Sequence, residues 1–131
     1  MGAWGPGTFQ NDDALNWLAD VTDAGDFSLV ESALGAVGSS DAPHTSACCA
    51  ALAAAEIVAA LRGHPRARLP ERLVAFIAGR PAPSTALVES ARTALARIRS
   101  ESELRELWRD SAEWKDDVAD LDRRLSLKGQ A

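Results

Sequence analysis

Apolar positions recur along most of this chain at the three- and four-residue spacing of one helix face, and nowhere do they alternate as in a strand. Ala14, Trp17, Leu18 and Val21 mark a first helix that follows Asn11 and stops near Ala24-Gly25. Phe27, Val30, Leu34 and Val37 mark a second, capped by Asp26 and ended by Gly38-Ser39-Ser40. The third, placed at 42–62 with Pro43 in its first turn, contains ACCAALAAAEIVAAL, apolar or small at every position except Glu56. A helix without a polar face is enclosed by its neighbours, so this one is expected at the centre. It is too short and too alanine-rich for a membrane span of about 20 strongly apolar residues.

Past the loop HPRARL, Pro70-Glu71 opens a short helix with Leu73, Phe76 and Ile77 inward, closed by Gly79, Pro81 and Pro83. Ser84 starts a fifth, whose stripe is Leu87, Ala91, Ala94, Leu95 and Ile98. Ser100-Glu101-Ser102-Glu103 reads as a capping box for a helix burying Leu104, Leu107 and Trp108. The last places Trp114, Val118, Leu121 and Leu125 inward, with Lys115, Asp116, Asp117, Asp120, Arg123 and Arg124 on a solvated face. The expected architecture is all-α: one domain over 1–131, a compact bundle of about six or seven helices around the alanine-rich one.

Residues 1–10 form the exception. Their glycines and Pro6 supply turns, while Trp4 and Phe9 are large apolar groups that should be buried, so the segment is read as an ordered non-helical arm. Asn11 suits an N-cap, and Asp12 and Asp13 a first turn.

Charge divides the chain unevenly. Residues 1–61 hold eight acids and no Lys or Arg; the remainder carries 14 basic and 11 acidic residues, so −8 and +3 give the net −5. Arg62, Arg66, Arg68, Arg72 and Arg80 face only Glu71 within their segment. They are expected to lie against the acidic half of the same molecule, with an anionic partner as the alternative. The overall sign and the lack of aromatic–basic interleaving argue against nucleic acid. With no charged-then-apolar leader the chain reads as cytoplasmic.

Candidate chemistry is sparse. Cys48 and Cys49 are adjacent on a helix, which precludes an unstrained mutual disulfide, and are read as small buried hydrophobes. No CxxC, HExxH or His/Cys cluster suggests a metal, and no cofactor is expected. His44 and His64 are read as solvated. The Gly-rich arm before a helix could cradle phosphate, but Asp12 and Asp13 would repel it.

Glu56 has only Leu52, Ala53, Ala59 and Ala60 as helical neighbours, so a buried carboxylate there needs donors from elsewhere. Backbone N–H groups near Gly5 and Gly7, the Trp4 indole or an arginine of the second half would serve, making Glu56 a clamp for the arm. Alternatively Cys49, Ala53, Glu56, Ala60 and Gly63 form a small-residue stripe facing water or another chain. Asp12, Asp13 and Glu56, with His44 as base, could also make an acidic pocket, though acids at a helix start are ordinarily caps.

The motif Trp4-Gly5-x-Gly7-x-Phe9-x-Asn11-Asp12-x-Ala14-x-x-Trp17, with AAAEIVAALRG at 53–63 and ELRELW at 103–108, resembles the bacterial family catalogued as domain of unknown function 4259. The resemblance spans nearly the whole chain and implies a small helical protein, with no activity to carry over. Its recurring positions fall on Trp4, Gly5, Gly7, Phe9, Asn11, Asp12, Glu56, Leu107 and Trp108; the second acid, Asp13, is additional. The expected function is that of a non-enzymatic module binding another protein or itself. The alternative is a small hydrolase or ligand-binding domain with its pocket between the arm and the third helix.

Overall fold

Alanine at eight of the seventeen positions of the third helix lets other backbones approach closely, and six helices pack on it. The computed structural model describes residues 7–127. Among them are seven helices and no strand: α1 (Asp12–Ala24), α2 (Ser28–Gly38), α3 (Thr45–Leu61), α4 (Glu71–Ile77), α5 (Thr85–Ser100), α6 (Glu103–Leu107) and α7 (Ala112–Ser126). Each of the other six touches α3, and α2 also packs closely on α5. Every residue from Ala51 to Ala59 is buried. The periodic positions of the flanking helices close over this rod: Leu18 and Val21, Val30 and Leu34, Leu95 and Ile98, Leu121 and Leu125. The all-α bundle around a central alanine-rich helix is the fold expected from the apolar pattern.

Local signals place most boundaries. Asn11 Oδ1 accepts from the Ala14 N–H at 2.7 Å, satisfying an otherwise unpaired donor at the start of α1. Gly25 ends that helix at φ 78°, a left-handed conformation that glycine adopts without a Cβ penalty. Ser84 and Ser111 cap α5 and α7 in the same manner as Asn11 caps α1.

Four local expectations are corrected. Asp26 lies one residue before the α2 cap position, Phe27; its carboxylate accepts from the Ser28 N–H and hydroxyl, and so still supports the first turn. Pro43 precedes α3, which begins at Thr45 after the His44 cap. The serine that caps α6 is Ser102, not Ser100, and its hydroxyl accepts from the Arg105 N–H at 3.0 Å. Glu103 therefore does not reach back within its own helix. Its carboxylate accepts from the Thr45 N–H at 3.0 Å and the Thr45 hydroxyl at 2.7 Å, capping the central helix from 58 positions away. In return the Pro43 carbonyl accepts from the Glu103 N–H at 3.0 Å.

Leu107 is 58% exposed rather than buried. The five-residue α6 has room for one inward position, which Leu104 occupies, and Trp108 beyond it is half-buried.

Candidate functional site

The only acid on the central helix is fully enclosed. Glu56 is 0% exposed, and its donors come from two segments of the second half of the chain. Arg124 of α7 grips it bidentately, Nη1 donating to Oε1 at 2.8 Å and Nη2 to Oε2 at 2.9 Å. Arg66, in the loop after α3, adds a third bond, from Nη1 to Oε2 at 3.1 Å. Both guanidiniums are held further out. Arg66 donates from Nη2 to Asp117 Oδ1 at 2.9 Å and from Nη1 to Oδ2 at 3.3 Å. Arg124 donates from Nε to Asp120 Oδ2 at 2.8 Å and from Nη1 to the His64 carbonyl at 3.2 Å.

The solvated face expected for α7 is therefore corrected. Asp117, Asp120 and Arg124 at i, i+3 and i+7 form a polar stripe turned toward the loop and α3, with Arg124 buried. A buried carboxylate is costly without charged donors, and the loop after α3 and α7 provide them as Arg66 and Arg124. Burial alone would lower the Arg124 pKa, but its bonds to Glu56 and Asp120 raise it. Burial likewise opposes ionisation of Asp120, yet hydrogen bonds from Arg123 and Arg124 hold its carboxyl below the usual aspartate range.

Among its described residues the arm reaches this cluster through Thr8. Thr8, 3% exposed, donates its hydroxyl to Asp117 Oδ2 at 3.4 Å, and its carbonyl accepts from Asn11 Nδ2 at 3.1 Å. Gly7 donates its N–H to Gln10 Oε1 at 2.8 Å, and Phe9 is half-buried against the core. Trp4 and Gly5 lie outside the described residues. Together Gly7, Phe9, Gln10, Arg66, Ala67, Arg68, Asp117 and Asp120 line a cleft of about 490 Å³.

The acids of the expected pocket do not gather there. Asp12 and Asp13 are exposed in the first turn of α1, and Asp13 accepts from the Ser46 hydroxyl at 3.3 Å. His44 is exposed at the start of α3, 3.8 Å from Glu103.

Nor do the five arginines form one patch. Arg62 bonds the Leu127 carbonyl, with its Nε buried and without a hydrogen-bond partner among the described residues. Arg66 belongs to the cluster, and Arg68 and Arg72 are exposed. Arg80 stacks over the rings of Phe76 and Phe27, 4.1 and 5.3 Å from their centroids, and donates to the Gly25 carbonyl at 3.0 Å. Among the described residues Glu56 is the only acid of the first half in an ion pair; Asp12, Asp13, Asp20, Asp23, Glu31 and Asp41 are exposed, and Asp26 is exposed with its carboxyl lowered by the Ser28 hydrogen bonds and by Arg80.

Both cysteines are buried free thiols. Burial pushes Cys48 above its ordinary value and Cys49 up to about 12. No group of three or more His, Cys, Asp or Glu that could hold a metal ion occurs among the described residues, and no helix there is long and apolar enough to cross a membrane.

With a helical fold built around a buried Glu56, the chain belongs to the family described as domain of unknown function (DUF4259), which it matches over residues 2–118. That span includes Thr8, Glu56, Arg66 and Asp117 but not Asp120 or Arg124. No curated protein and no solved structure matches the chain.

Sequence reasoning missed Arg124, Asp117 and Asp120 because they share a helix with acids and bases that do face solvent. The available signal, one acid and no base on the central helix, called for donors from elsewhere, an arginine of the second half among them, without singling out Arg124.

Proposed function

We propose that this chain is a non-enzymatic helical module that works by binding another protein or a second copy of itself. One observation carries the reading: both oxygens of Glu56, the acid around which a pocket would be built, are occupied by Arg124 and Arg66 and shielded from solvent. A carboxylate held this way positions α7 and the loop; it does not meet a substrate. The surface left for recognition is the exposed acids of the first half, together with the exposed apolar side chains Val74 and Leu107.

The test is light scattering over a concentration range, with affinity capture from the protein's own cells. Wild type is compared with a variant carrying Asn at Asp12, Asp13, Asp20 and Asp23. A stoichiometric partner or dimer lost in that variant supports the reading. A monomer that captures nothing in either form overturns it.

The second reading, a small hydrolase or ligand-binding domain, draws on the cleft between the arm, the Arg66–Arg68 loop and α7. Its walls carry both charges, which suits a polar ligand better than the acidic pocket first expected. A small-molecule thermal-shift screen of wild type and Arg68→Ala tests it. A compound that raises Tm only when Arg68 is present favours this reading over the first.

A further inference from the structure

We draw no further inference here: the strongest candidate, the cleft between the N-terminal arm, the Arg66–Arg68 loop and α7, belongs to the site already described, its Arg66, Asp117 and Asp120 being engaged by the Glu56 cluster, and nothing in the structure shows what covers it.

Discussion

Arg124 meets Glu56 with two parallel hydrogen bonds of 2.8 and 2.9 Å across 68 positions of sequence, joining the last helix to the most enclosed one. The pair lies among apolar side chains, where each charge is tolerated because the other is present. Arg66 and Asp120 satisfy the edges the pair leaves open, so four groups from three segments depend on one another.

Removing either partner strips the other buried charge of its bidentate counterpart, leaving Glu56 only Arg66 or Arg124 only Asp120 as an ion-pair partner. Glu56→Ala and Arg124→Ala should each cost about 3–5 kcal/mol in denaturant unfolding. Arg66→Ala should cost less, about 1.5–3 kcal/mol, because it loses one bond to Glu56 from a more exposed position. The double variant Glu56→Met/Arg124→Leu should be far less damaging than the sum of the single losses. Additive losses would show that the two residues are not energetically coupled.

Stability should also fall at both ends of the pH range. Asp120 has a depressed pKa in the folded protein, so its contribution is complete above the unfolded value, near 4, and disappears as pH drops through the folded one. Cys49 is shifted the opposite way. Between pH 9 and about 12 the unfolded chain loses the thiol proton while the folded chain keeps it. Unfolding should then become easier by about 1.4 kcal/mol per pH unit from this thiol alone. Cys49→Ala, followed through the same alkaline range, should flatten that slope.

The same burial makes both thiols inert. A disulfide reagent at pH 8 should label Cys48 and Cys49 only as fast as the protein opens, with full labelling in denaturant. Rapid labelling of the native protein would contradict their burial.

On α6 two leucines three residues apart should behave unlike one another. Leu104→Ala removes a 3% exposed side chain and should cost about 2–5 kcal/mol. Leu107→Ala should change stability by no more than about 0.5 kcal/mol. If Leu107 belongs to a recognition surface, its loss should appear in partner capture or self-association and not in Tm.

Glu103→Gln should lower Tm, since a neutral amide is a weaker acceptor for Thr45 at the positive end of α3. The wild-type advantage should vanish in acid, below the depressed pKa that the Thr45 bonds give Glu103. His44→Ala should leave Tm nearly unchanged, because that pair is long and solvent-exposed.

Much of the architecture was legible because it depends on local pattern. The stripes at Leu18 and Val21, or Leu95 and Ile98, register only which side of a helix is dry, and that is fixed by spacing. The run that is small or apolar except at Glu56 announced its own enclosure. The contacts of Arg124 and Glu103 were not legible. Each charged group could meet water or a distant partner, and the periodicity of α7 or α6 is the same in either case. Leu107 was misread for a related reason: an apolar residue at helical spacing is buried only if the helix continues far enough to present a second inward position. Glu56 could be singled out as a residue requiring donors; which arginine would supply them depended on how the terminal helix folds back.

The borrowed cap on Thr45 bears on how the chain matures during synthesis. The central helix is made early and Arg66 follows it closely, yet the groups that complete its first turn and grip its acid bidentately are made at positions 103 and 124. Until those residues emerge, a nascent chain holds an alanine-rich rod whose acid lacks its bidentate partner. We therefore expect the N-terminal half to stay loosely assembled on the ribosome and to lock as one cooperative event when α7 docks.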